Sequence, residues 1–128
     1  MNSRALVAAG RATIRISDLA LRTVIGINEW ERRTPQDVVI NISMQFDASA
    51  AVASDAVGDT LDYKRVKQAV ISLVEQSHFG LLERLCYEVL QKVMAEPRVL
   101  AATVRIDKPQ ALRFARSVSV EMQAERPS

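Results

Sequence analysis

Apolar and polar residues alternate with a period of two in four stretches of this chain and recur at helical spacing in two others. From Thr13 to Ile27 the apolar positions are Ile14 and Ile16, then, after a change of phase across Asp18, Leu19, Leu21 and Ile25. This predicts a long strand with an irregularity near Asp18. After the polar connection NEWERRTPQ, the run DVVINISMQF sets Val38, Ile40, Ile42, Met44 and Phe46 on one face and Val39, Asn41, Ser43 and Gln45 on the other.

The stretch DASAAVASDAVGDTLD, with its small residues, aspartates and Gly58, reads as a loop. It leads to YKRVKQAVISLVEQ, where Val66, Val70, Leu73 and Val74 predict a helix with Asp62 as its N-cap. A break at SHFG precedes a second helix, with Leu82, Leu85, Cys86, Val89 and Val93 on one stripe and Pro97 beyond its end. Then AATVRID and SVSVEMQ alternate again and predict two more strands.

The order ββααββ lacks the alternation of parallel βαβ units, so it predicts an α+β fold, an antiparallel sheet with both helices on one face. The opposite face would carry Asn41, Ser43, Gln45, Ser119 and Glu121 and meet water. Four long strands with open edges are an aggregation hazard unless subunits pair edge to edge, which predicts a closed ring of chains.

Composition narrows the function classes. A length of 128 residues, 48% hydrophobic and 25% charged, suits one soluble domain, expected over 13–126 behind a flexible leader, 1–12. A formal charge of +2 and 5% aromatic residues argue against a nucleic-acid partner or an RNA-binding sheet module that stacks bases. The apolar run Ala5 to Ala9 is too short for a signal core or a membrane span. One cysteine, Cys86, and one histidine, His78, exclude an intrachain disulfide and argue against a zinc enzyme, so neither metal nor cofactor is expected. Both residues are assigned to packing, Trp30 to the core or an interface, and the protein to the cytoplasm.

Four residues could carry chemistry, and each has an ordinary reading. Lys108 ends a strand immediately before Pro109, where a solvated cation is usual. Glu31 could pair with Arg32 or Arg33 in a loop, Glu83 could complement the dipole of the second helix, and Tyr63 could lean on the core.

Together they read differently. LRTVIGINEWE followed by PQDVVINI, then SDAVGDTLDY, FGLLERL, and VRIDKPQAL leading to SVSVEM stand in an order and spacing that resembles the dihydroneopterin aldolase family, over roughly Ile14 to Arg126. That family includes dihydroneopterin triphosphate 2'-epimerase. The resemblance implies the tunnelling fold, whose ββααββ chains join into a multi-subunit barrel. It also implies a homo-oligomer, an octamer or a tetramer, with sites at subunit interfaces and a small dihydropterin as substrate.

It further implies that Lys108, Tyr63 and Glu31 are catalytic, that Glu83, with the backbone at Leu82, anchors the pterin, and that Tyr63 also touches the substrate. Glu31 would reach the substrate's side chain. The implied reaction is the metal-free aldolase cleavage of dihydroneopterin to 6-hydroxymethyl-dihydropterin and glycolaldehyde in folate biosynthesis, with the triphosphate epimerase as the alternative. EWE and SDAVGDTLDY resemble the aldolase; LRTVIGI and ALRFARSVSV resemble the epimerase. A triphosphate would need a cationic rim, for which Arg22, Arg32, Arg33, Lys64, Arg113 and Arg116 are available.

Overall fold

Strand β1 (Arg11–Ile25) pairs antiparallel with β2 (Gln36–Asp47), starting at Arg11 opposite Asp47. The computed structural model describes Ala5 and residues 10–127, so most of the expected leader lies outside the described residues. Its last two positions already belong to the ladder. The pairing slips between Ile16 and Leu19, where Asp18 takes a left-handed φ of 56°. The Asp18 amide donates to Asn41 Oδ1 at 2.9 Å, and Asn41 Nδ2 donates back to Asp18 Oδ1 at 3.3 Å. The predicted irregularity is therefore a bulge tied to the neighbouring strand.

The stretch read as a loop holds two short elements, helix α1 (Ser49–Ser54) and a 3-10 turn (Val57–Asp59). Alanines 50, 51 and 53 supply the helix propensity, and Asp47 Oδ1 accepts the Ser49 amide at 2.9 Å at its start. Helix α2 (Tyr63–Gln76) begins at the expected cap, with the Arg65 amide donating to Asp62 Oδ1 at 3.1 Å. At its other end the buried Thr23 hydroxyl donates to the Val74 carbonyl at 2.7 Å, and Ser77 Oγ donates to the same oxygen at 2.8 Å. These bonds fasten the C-terminus of α2 to β1.

The break at SHFG contains a two-residue strand, β3 (His78–Phe79), parallel to β1 at Val24 and Ile25. Helix α3 (Leu82–Met94) follows and packs on β4 (Ala101–Pro109) and β5 (Ser117–Glu125). It stops three residues before Pro97, with Arg126 Nη2 donating to the Met94 carbonyl at 2.7 Å. The sheet order is β3-β1-β2-β4-β5, antiparallel except at β3.

Val38, Ile40, Ile42, Met44, Val104 and Ile106 point from the sheet into a core closed by Val66, Val70 and Val74 of α2 and Leu85, Val89 and Val93 of α3. The core is one-sided, as the alternation predicts. On the other face a polar hollow of about 410 Å³ is lined by Asn41, Ser43, Arg105, Asp107 and Glu121, among others. Among the described residues no helix is long and apolar enough to cross a membrane.

Candidate active site

At the end of β4, Lys108 Nζ donates to Glu31 Oε2 at 2.6 Å, across 77 residues of chain. Glu31 opens a 3-10 turn (Glu31–Arg33) in the β1–β2 connection, and both side chains are sheltered, 8% exposed for Glu31 and 17% for Lys108. The ordinary partners proposed for Glu31 are not the ones it takes: Arg33 pairs with Glu29 at 3.5 Å. Glu31 also accepts from the Asn28 amide, at 3.2 Å on Oε1, and from Gln36 Nε2, at 3.3 Å on Oε2.

The lysine hydrogen bond is the chief cause holding the Glu31 carboxyl below its ordinary pKa of 4.5. Burial opposes it and is outweighed, and the Asn28 and Gln36 donors lower the carboxyl further. Gly26, with φ of 133°, lies against the carboxylate so closely that a Cβ would overlap it. A buried acid and a sheltered amine thus face each other where β1, β2 and β4 all end.

Strand β3 carries the second part of the site to this corner. The Gly26 amide donates to the Phe79 carbonyl at 3.2 Å, and Gly80 lies against Gly26 and Ile27. A pocket of about 420 Å³ opens there, lined by Val24, Gly26, Ile27, Arg32, His78, Phe79 and Gly80. Leu82 and Glu83 follow at once as the first two residues of α3. Glu83 is exposed and makes no hydrogen bond or ion pair among the described residues, so its carboxylate is free to accept a ligand's donors.

Tyr63 stands apart. It is the first residue of α2, whose Val74 is the end fastened to Thr23, so the helix holds the two about 16 Å apart along its axis. Its side chain is 45% exposed. The fold of one protomer therefore joins Glu31 to Lys108, sets Leu82 and Glu83 just beyond the β3 segment that bonds Gly26, and leaves Tyr63 at the far end of α2.

Several secondary expectations change. His78, expected to pack, is exposed on the pocket's lip, because its strand pairs only through Val24 and Ile25. Trp30 is 56% exposed, which excludes the core and leaves the interface of its two expected places. Cys86 does pack: its thiol is buried, donates to the Val104 carbonyl at 3.4 Å, and is pushed up to about 11 by desolvation. Two of the six candidate cations are already paired, Arg22 with Asp37 at 3.4 Å and Arg33 with Glu29. Arg32 lines the pocket, while Arg113 stands over the fully exposed ring of Phe114 in the β4–β5 turn.

Gly26 and Gln36 were not singled out from the sequence. Their spacing around Glu31, five residues on either side, has no period to mark it, and only the fold sets the carboxylate between them. Among the described residues no group of three or more His, Cys, Asp or Glu side chains is placed to hold a metal ion.

The family model described as FolB: Dihydroneopterin aldolase matches residues 14–123. A dihydroneopterin triphosphate 2'-epimerase of Pseudomonas aeruginosa is 45% identical over 117 residues, covering 91% of this chain and 95% of that one. A dihydroneopterin aldolase of Haemophilus influenzae is 33% identical over 105 residues, covering 82% and 89%. Among solved structures, Escherichia coli dihydroneopterin aldolase in complex with neopterin superposes with a TM-score of 0.84 at 32% identity, covering 88% of this chain and 98% of that one.

Proposed function

The chain belongs to the dihydroneopterin aldolase family, and within it we propose that Glu31 and Lys108 move protons in a retro-aldol cleavage of a dihydropterin side chain. The observation that carries this reading is their 2.6 Å contact, an acceptor and a donor of protons held side by side, with Gly26 packed on the carboxylate and lining an open pocket. Glu83 is the proposed anchor: its carboxylate can accept two parallel N–H bonds from the flat 2-amino edge of the ring, next to the backbone at Leu82.

The bookkeeping of the step follows from the substrate. A base removes the 2'-hydroxyl proton, the bond between the first and second side-chain carbons breaks, and its electrons enter the pterin's own C=N bond. An acid then returns a proton to the first carbon, which gives 6-hydroxymethyl-dihydropterin and glycolaldehyde. Because the imine is already present in the ring, Lys108 need not form a Schiff base, and neither metal nor cofactor is called for. If the fragment turns and the bond recloses, the same machinery is an epimerase.

Which outcome dominates turns on the side chain's tail. The greater similarity to an epimerase, 45% against 33% for an aldolase, favours dihydroneopterin triphosphate as substrate, although the EWE and SDAVGDTLDY motifs resemble the aldolase. Arg32 on the pocket lining supports the triphosphate reading as a cation near the tail. Incubation of the protein with dihydroneopterin and, separately, its triphosphate, followed by chromatography of the pterins, decides. An inverted, unbroken side chain marks the epimerase and hydroxymethyl-dihydropterin the aldolase, while no conversion of either overturns the reading.

Tyr63 completes this site only from another copy. The outer edge of β1 from Arg11 to Thr23 and the whole outer edge of β5 have no strand beside them among the described residues. Both can pair with neighbouring chains in a barrel, an octamer or a tetramer, that brings a second chain's Tyr63 to the first chain's Lys108. In that arrangement Tyr63 holds or relays a proton near the departing glycolaldehyde. A monomer in light scattering at assay concentration rules the shared site out.

A further inference from the structure

Gln36 is the first residue of β2, opposite Thr23 of β1. Its side-chain amide bridges two elements, with Nε2 donating to the Ile25 carbonyl at 2.8 Å and to Glu31 Oε2 at 3.3 Å. Both acceptors are oxygens, so the reversed amide would set its own carbonyl against them; the chemistry leaves one orientation. Both N–H groups are thereby used.

The carboxylate of Glu31 is bounded on every side that the protein supplies. Lys108 and Gln36 share Oε2, the Asn28 amide takes one lone pair of Oε1, and Gly26 closes one face. A second lone pair of Oε1 is left over, and it is the one a substrate hydroxyl can approach. Without Gln36 only a single flexible amine would hold Oε2, and the connection from Asn28 to Pro35 would lose a tie to the end of β1.

We propose that Gln36 is a positioning residue for the Glu31–Lys108 pair, fixing the carboxylate plane so that Oε2 stays on the lysine and Oε1 is presented to the substrate's hydroxyl. The consequence for turnover rests on the proton-transfer reading above; the orientation of Glu31 does not. A near-attack geometry lost by about 1 Å costs about 100-fold in rate. The Gln36 amide bonds Ile25 and Glu31 and not the proposed ring anchor Glu83, so binding of the pterin ring and turnover should separate.

The test uses full-length Gln36→Met, which keeps the side chain's length and removes both donors, with Gln36→Asn as a second variant that keeps an amide too short to bridge. Each is compared with wild type for melting temperature, neopterin affinity, kcat and the titration of the Glu31 carboxyl by 13C NMR. The expected result is near wild-type affinity, a loss of about 100-fold in kcat for Gln36→Met, and a Glu31 titration moved upward as a donor is removed. Wild-type kcat and an unmoved Glu31 titration in either folded variant overturn the proposal. If wild type itself turns over neither pterin, the enzymatic reading fails, while the Glu31 titration still confirms or refutes the role of Gln36.

Discussion

Glu31 and Glu83 are two carboxylates of one candidate site, and the fold treats them oppositely. The Glu31 side chain is 8% exposed and accepts from three donors drawn from three parts of the chain. Glu83, on the first turn of α3, is exposed and accepts from none among the described residues. The difference separates a group that must be held for chemistry from one that must be vacant for binding. A carboxylate already saturated by its own protein has little left for a ligand's donors, and one that moves freely is a poor partner for a proton in flight.

The sharpest way to break the contrast is at the lysine. Lys108→Ala should lower kcat by about 10²–10⁴-fold while neopterin still binds, because the ring anchor is elsewhere. Unchanged turnover removes the amine from the mechanism. At the vacant carboxylate the pattern should invert. Glu83→Ala is expected to weaken pterin binding by about 1.5–3 kcal/mol, the scale for a hydrogen bond to a charged group. Because the side chain is exposed in the protomer, its removal should leave the protomer's stability within about 0.5 kcal/mol. Near-wild-type affinity in calorimetry refutes the anchor.

Smaller effects probe the scaffold that holds the first carboxylate. Thr23→Val removes the buried hydroxyl donating to Val74 and should cost about 1–3 kcal/mol in denaturant unfolding. A cost near zero would mean that the junction of α2 with β1 does not depend on it. The last effect is pH dependence. Since the folded Glu31 carboxyl lies below its ordinary 4.5, its stabilisation is fully present above that value and is lost as pH falls through the folded pKa. Melting temperature should therefore fall more steeply below about pH 4.5 in wild type than in Glu31→Gln. Parallel acid profiles would contradict the assignment.

What was legible beforehand has a common cause. The alternation of Val38 to Phe46 and the helical stripes of Val66 to Val74 and Leu82 to Val93 are consequences of one face being buried, and the Asp62 cap acts within three residues. The break at Asp18 announced itself as a change of phase. Elements too short to show a period escaped: α1 has six residues and no buried one, and β3 has only two. Yet β3, through Phe79 and Gly80, is what ties the segment leading into Leu82 and Glu83 to Gly26.

The chain's local pattern by itself determined the order ββααββ, the one-sided sheet and, through its separated motifs, the family. The pairing of Glu31 with Lys108, the cradle of Gly26, Asn28 and Gln36 around it, and the distance of Tyr63 were decided only in three dimensions. The reason is range: periodicity and capping act between residues a few positions apart. A charge pair spanning 77 residues exists only after β1, β2 and β4 have come into register and excluded water from the corner where they end.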